Sequence, residues 1–341
     1  MTSSSVTCIS GFDYYDSPEF LQLSLHIVSS ISTPIYILGL YCILFKTPEA
    51  MKSVKWYLLV LHIWIALFDY SISVLLVPYL LIPQLAVVPY GLLEYLGVPV
   101  IIQTLVTLVM IFYVFVAITS IFENRFFILC EFRGKAFWRY GRKIWLFGNY
   151  AFVYFFFFPI FYLIPNQTTA RRHVFQNLPC LPSYIYDAPV FVVALDFTYS
   201  IYGAILFVNN FCMFTGFFIS QLILSGIRQR RSKAISQKTF QMHKRLFLAL
   251  IIQISVPVFM MVVPILLAHS MIIFGYRDQA IIHVGVIIVT THGLVSTVVM
   301  ILVHKPYRLA VKGMIRKDKI RRSVVTSKVS LSKRTNVVRI F

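Results

Sequence analysis

The stretch Leu96–Arg125, LGVPVIIQTLVTLVMIFYVFVAITSIFENR, decides the class of fold. From Leu96 to Phe122 it holds no Asp, Glu, Lys or Arg, and it is longer than the roughly 20 helical residues that cross a hydrocarbon core of about 30 Å. It closes on Glu123-Asn124-Arg125, just before a basic loop, so an acid and a base stand at the mouth of a membrane helix as a candidate switch. Residues i and i+2 lie about 200° apart on a helix, so Glu123 and Arg125 do not face each other and each needs a partner elsewhere. Counting back at about 100° per residue, Ile118, Thr107, Gln103 and Thr104 fall within about 60° of Arg125. Arg125 is therefore expected to make the inward, state-dependent contact, with Glu123 turned towards the next loop or a neighbouring helix. Anchoring of both at the lipid interface is the alternative.

The rest of the chain repeats this pattern. Its 341 residues are 59% hydrophobic and only 13% charged, with mean hydropathy +0.80, against about 25% charged residues in soluble domains. The expectation is an all-α membrane protein, a seven-transmembrane helix bundle with helices at about 20–45, 56–81, 96–122, 144–164, 197–227, 246–272 and 280–303. Residues 1–308 form the seven-helix domain, and 309–341 a basic tail with a short amphipathic piece, Leu309 to Arg322, and several serines and threonines open to phosphorylation. Residues 1–17 lack both Lys/Arg and an apolar core, so the first helix is expected to act as the insertion signal.

Orientation follows from the basic residues. The first, third and fifth loops and the tail carry 28 Lys and Arg, and the other side carries 3 (Arg171, Arg172 and Arg277). The basic side is thus expected to be cytoplasmic, with the N-terminus outside and the C-terminus inside. The net charge of +19 is read as topology with attraction to anionic membrane lipids, and not as a nucleic-acid surface. The sequon Asn166-Gln167-Thr168 falls on the expected outer side, making Asn166 a candidate glycosylation site.

Asp69 is the one acid inside an apolar span, where an unpaired charge costs about 2.5 to 3.5 kcal/mol. It faces the bundle interior on this reading, as an ion or proton site or as hydrogen-bonding glue between helices. His26, His62, His269, His283 and His292 are spread over four helices without an H-x-x-x-H pair or a nearby acid, so no metal site and no cofactor is expected. Pro34, Pro78, Pro159, Pro257 and Pro264 lie within expected spans and tend to kink them. Cys8 and Cys180 are the two cysteines expected outside and form a hypothetical disulfide, with two free thiols as the alternative. Cys130, at the inner edge, is a candidate for palmitoylation.

Several of these stretches resemble the nematode chemoreceptors called serpentine receptor class H. They include Ser17-Pro18-Glu19-Phe20-Leu21, Leu25-His26, Lys46-Thr47-Pro48, Met51 to Trp56, His62-x-Trp64, Asp69, Phe122 to Arg125 and Lys305-Pro306-Tyr307-Arg308. The resemblance runs from Ser17 to Arg308 and is most specific around the first loop. It implies a G-protein-coupled receptor of the plasma membrane, on sensory neurons or their cilia, that detects small chemicals. The chain departs from the rhodopsin-like pattern, since Asn124 separates the acid from the base and Pro306-Tyr307 stands at the membrane edge.

On this resemblance the partners are a small-molecule ligand and a heterotrimeric G protein. The switch and coupling candidates are Glu123, Asn124, Arg125, Pro306, Tyr307 and Arg308. Polar side chains within the spans supply the pocket candidates, namely Gln103, Thr104, Thr107, Tyr199, Tyr202, Gln253, His283, Thr290 and Thr291. A ligand-gated channel or small-solute transporter, with Asp69 in its path, is the alternative function. An enzyme is not expected, as neither a G-x-S-x-G nor a P-loop motif occurs.

Overall fold

The structure, a computed structural model, describes residues 13–178, 181–232 and 236–316. Among these, seven helices are long and apolar enough to cross a membrane. They are α1 (Pro18–Phe45), α2 (Lys52–Tyr70, prolonged by a π-helical turn Ser71–Leu76), α3 (Val100–Leu129), α4 (Lys135–Phe157), α5 (Thr198–Ser232), α6 (Gln237–Phe274) and α7 (Gln279–Val303).

Local chemistry sets several helix starts. Ser17 caps α1 by accepting from the Phe20 amide at 3.2 Å, with Pro18 in the first turn where no amide is needed. Asp278 caps α7 through its carboxylate and the Ile281 amide at 3.0 Å. Gly134, at φ +88°, makes the left-handed step from which α4 departs. Hydropathy locates the spans but not their ends. The third helix continues past Phe122 to Leu129, so Glu123, Asn124 and Arg125 lie within it. The fourth and sixth helices begin more than two turns before the expected 144 and 246, on polar residues that an apolar count leaves out. Pro159 interrupts the fourth span, after which a short helix Ile160–Leu163 resumes.

The second span needs the largest correction. Residues 56–81 are not one helix, because the chain leaves helical geometry at Val77, with φ +44°, and continues as a strand. Pro78 supplies no amide to an upstream carbonyl and disfavours α geometry in the residue before it. It therefore opens strand β1 (Pro78–Leu81) instead of kinking a helix. Strand β1 pairs antiparallel with β2 (Leu85–Pro89), which pairs with β3 (Phe191–Ala194) from the connection between α4 and α5. The outer edge of β3 is covered by the helix Gln167–Asn177, whose Gln167 amide exchanges hydrogen bonds of 3.1 and 2.9 Å with the backbone of Val192. Covering that edge satisfies groups that would otherwise be open to pairing. This small sheet caps the end of the bundle opposite the basic loops.

The core is built on α3, whose Val114, Ile118, Ile121 and Phe122 pack with Leu58, Leu61, Ile65 and Phe68 of α2. Those α2 positions recur at helical spacing and mark one buried face. The outer faces are apolar too: Phe147, Phe155 and Tyr162 are exposed, as lipid-facing side chains of a multi-pass membrane protein are. Tyr307, on a helical segment over residues 305–316, is fully buried in a second cluster with Cys42, Ile43, Leu59 and Met300.

Candidate functional site

Within α3, Glu123 and Arg125 face opposite surroundings, as their spacing requires. Glu123 accepts from Arg142 Nη2 at 2.7 Å and from Trp138 Nε1 at 2.9 Å. Trp138 and Arg142 stand one turn apart on α4 and so present a common face. The same guanidinium donates to Asn124 Oδ1 at 3.0 Å and to the Tyr57 hydroxyl at 3.1 Å, and lies over the Phe127 ring. Asn124 Nδ2 donates to the Ser53 carbonyl at 2.9 Å. One arginine thus ties α3, α4 and α2 together at the basic end.

Arg125 has no such clamp. Its side chain is buried, and Nε and Nη2 lack hydrogen-bond partners. It lies near enough to His304 to act on it electrostatically: burial and the Arg125 charge hold the His304 pKa down at about 4, so this imidazole is neutral at physiological pH. His304 Nε2 meets Gln253 Oε1 at 3.0 Å and joins the end of α7 to α6. Gln253 therefore belongs to the network at the basic end and not to a pocket at the sheet-capped end. Tyr307 is a buried strut, its hydroxyl 2.8 Å from Thr47 Oγ1, with burial raising its pKa, while Arg308 is exposed and donates to the Leu302 carbonyl at 3.0 Å. Pro306 is half-buried beside them.

Halfway along the bundle, Asp69 is buried against α1 and α7. The Tyr36 hydroxyl donates to its Oδ2, and His292 Nδ1 stands 3.0 Å from its Oδ1. The other neighbour of His292 Nδ1 is the Val289 carbonyl at 2.5 Å. Both neighbours are acceptors, so Nδ1 is the nitrogen that carries hydrogen. The expectation that no acid lies near a histidine fails here, because Asp69 and His292 meet only through the packing of α2 on α7. Gly293 makes that approach possible, since a Cβ there would overlap the Asp69 carboxylate, the Tyr36 hydroxyl and Ile65.

The remaining pocket candidates separate into four groups. Gln103 and Thr107 are buried along the α3 face that also holds Ile118 and Arg125. Gln103 Nε2 donates to the Val98 carbonyl at 2.7 Å, while Gln103 Oε1 and the hydroxyl of half-buried Thr104 are left without partners. His283 is engaged by the Tyr15 carbonyl at 2.9 Å and by Gln279 at 3.0 Å, under the Tyr79 ring, so it closes the α1–α7 side of the mouth. Thr290 and Thr291 bond back to carbonyls of their own helix at 2.5 and 2.7 Å. Tyr199 and Tyr202 are 61% and 66% exposed and turn out of the bundle, which removes them from an interior pocket. An amphipathic tyrosine near a helix end is at home at the membrane interface.

The chain matches the family model described as serpentine type 7TM GPCR chemoreceptor Srh over residues 16–317. The chain belongs to the Srh family. Serpentine receptor class H-72 of Caenorhabditis elegans is 29% identical over 322 residues, spanning 93% of this chain and 91% of that protein. This Srh chain is accordingly a multi-pass membrane protein of a chemoreceptor family and not an enzyme. Among its described residues no group of three His, Cys, Asp or Glu is placed to hold a metal.

Three residues of this Srh site escape a linear reading. Arg142 and Trp138 become visible only if the fourth helix is started at Lys135, and His304 only once α7 is seen to pack on α6. Asn166 is exposed and caps the helix Gln167–Asn177 with its Oδ1, leaving Nδ2, the atom a glycan would join, outside the cap. Cys130 is buried, its thiol directed at the Gln221 carbonyl, which withdraws it from acylation. Cys8 and Cys180 lie outside the described residues.

Proposed function

We propose that the chain is a chemosensory G-protein-coupled receptor. It binds a small environmental chemical in the sheet-capped half of the bundle and activates a heterotrimeric G protein at its basic face. Membership of the Srh chemoreceptor family over residues 16–317 is the observation that carries this reading. The bias of 28 basic residues to 3 supports a cytoplasmic basic face, at the plasma membrane of a sensory neuron or cilium.

Gln103, Thr104 and Thr107 are the residues best placed to meet a ligand, since they share with Arg125 one face of α3 and two of them offer unpartnered oxygens. A ligand acts only through its different affinity for two arrangements of the helices. The elements available to rearrange are the His304–Gln253 contact between α7 and α6, the Asp69–His292 contact, and α6 itself. Pro257 and Pro264 interrupt the hydrogen-bond ladder of α6, so its basic half can swing. Glu123 and Arg142 hold α3 to α4 throughout, while Arg125 is the side chain free to change partners. The basic segments 133–143 and 228–245 then meet the G protein.

The test is an odorant panel with a calcium readout in a host cell, followed by nucleotide exchange on an added G protein. A response to a defined chemical together with faster exchange supports the proposal. Silence across a broad panel, with surface expression verified, overturns it.

A further inference from the structure

Arg125 carries a charge that none of the described residues neutralises. The side chain is 4% exposed, and both Nε and Nη2 are buried without hydrogen-bond partners. Among the described residues no carboxylate pairs with it, since Glu123 points the other way, where Arg142 and Trp138 take both its oxygens. The surroundings supply more nitrogen instead. The guanidinium bears electrostatically on His243 of α6 and on His304, and His243 Nδ1 is itself buried and unpartnered. Water can accept from these N–H groups but cannot balance a buried cation, one of the least favourable arrangements in a protein interior.

We propose that this site, between α3, α6 and the end of α7, binds a small monovalent anion of the halide class. Arg125 Nε and Nη2 donate to it, and His243 Nδ1 is the third donor in the tautomer that places hydrogen there. A single guanidinium matches one negative charge, which favours chloride over a phosphate dianion. A carboxylate carried on a peptide shares the chemistry but has to reach a nearly inaccessible side chain. The anion neutralises Arg125 in the receptor by itself, so the site requires neither a chemical stimulus nor a G protein.

The experiment uses the full-length chain in nanodiscs of uncharged lipid. Thermal unfolding is followed by tryptophan fluorescence as chloride replaces the bulky anion gluconate at constant ionic strength and pH. The midpoint is expected to rise saturably with chloride, since a ligand bound only by the folded state stabilises it. Bromide should substitute for chloride, and the rise should vanish in Arg125→Gln and persist in Lys312→Gln, a change at an exposed basic residue. Acetate acting as well as chloride would support the same site with a carboxylate as its occupant. Equal midpoints in chloride and gluconate overturn the proposal, leaving water alone on the donors. A chloride effect undiminished in Arg125→Gln also overturns it. If Arg125→Gln does not fold, His243→Ala decides: a several-fold higher half-saturating chloride concentration supports the site, and an unchanged one refutes it.

Discussion

Removing Arg142 should damage the protein chiefly through what it leaves behind. In Arg142→Ala, Glu123 stays 3% exposed in its side chain and keeps only the Trp138 indole, while Asn124 Oδ1 and the Tyr57 hydroxyl each lose a donor. Truncating one partner of a buried ion pair costs about 3–5 kcal/mol. Arg142 itself is 16% exposed, so water reaches part of the site and the lower end, about 3 kcal/mol, is the expected loss. In Glu123→Gln/Arg142→Ala the stranded charge is gone. The double variant should therefore recover about 1.5–3 kcal/mol relative to the sum of the single changes, the range for charge-assisted hydrogen bonds. Reversible unfolding of the four proteins in one detergent gives the cycle. A coupling below about 0.5 kcal/mol, within the additivity of independent sites, would refute the claim that this arginine clamps α3 to α4 through Glu123.

The Asp69 seam predicts that Gly293→Ala lowers stability by about 1–3 kcal/mol, the usual cost of overpacking, read as lower surface expression and a lower unfolding midpoint. His304 predicts a pH effect: its folded pKa of about 4 lies below the unfolded value of about 6.5, so the unfolded state takes up the proton first as pH falls. Stability present at pH 8 is then lost progressively below about pH 6.5, by about 2 kcal/mol at about pH 5. Comparing unfolding curves with those of His304→Gln, which should be less acid-sensitive, checks the sign. For a chemical found active in the panel, Gln103→Ala should shift the half-maximal concentration at least several-fold while Tyr199→Ala and Tyr202→Ala leave it unchanged, measured by calcium response.

Hydropathy was enough for the number of spans because crossing lipid demands an apolar run whatever the packing. It was poor for their ends, since α3 carries Glu123, Asn124 and Arg125 inside the bundle and α4 and α6 start on polar residues beyond the membrane edge. The cap sheet is hidden because Pro78–Leu81 is apolar enough to pass for the end of the second span, 56–81, while its partner strand Leu85–Pro89 falls in the connection that follows. Helical spacing correctly separated Glu123 from Arg125, because that is local geometry. The partners Arg142, His292 and Gln253 were not legible, because each depends on which helices pack together, and Asp69 and His292 meet from distant parts of the chain. Tyr199 and Tyr202 are exposed because a hydroxyl on a span does not by itself mark an inward face, since tyrosine also serves at interfaces.

On the proposed function, Arg125 transmits a chemical signal from the sheet-capped half of α3 to a G protein. The most direct test of this role is nucleotide exchange on a purified heterotrimer, driven by the receptor in nanodiscs with a chemical from the panel. Faster exchange is expected with the wild-type chain, none above the unstimulated rate with Arg125→Ala at equal receptor density, and altered unstimulated exchange with Glu123→Ala. Stimulated exchange that survives intact in Arg125→Ala would contradict this role.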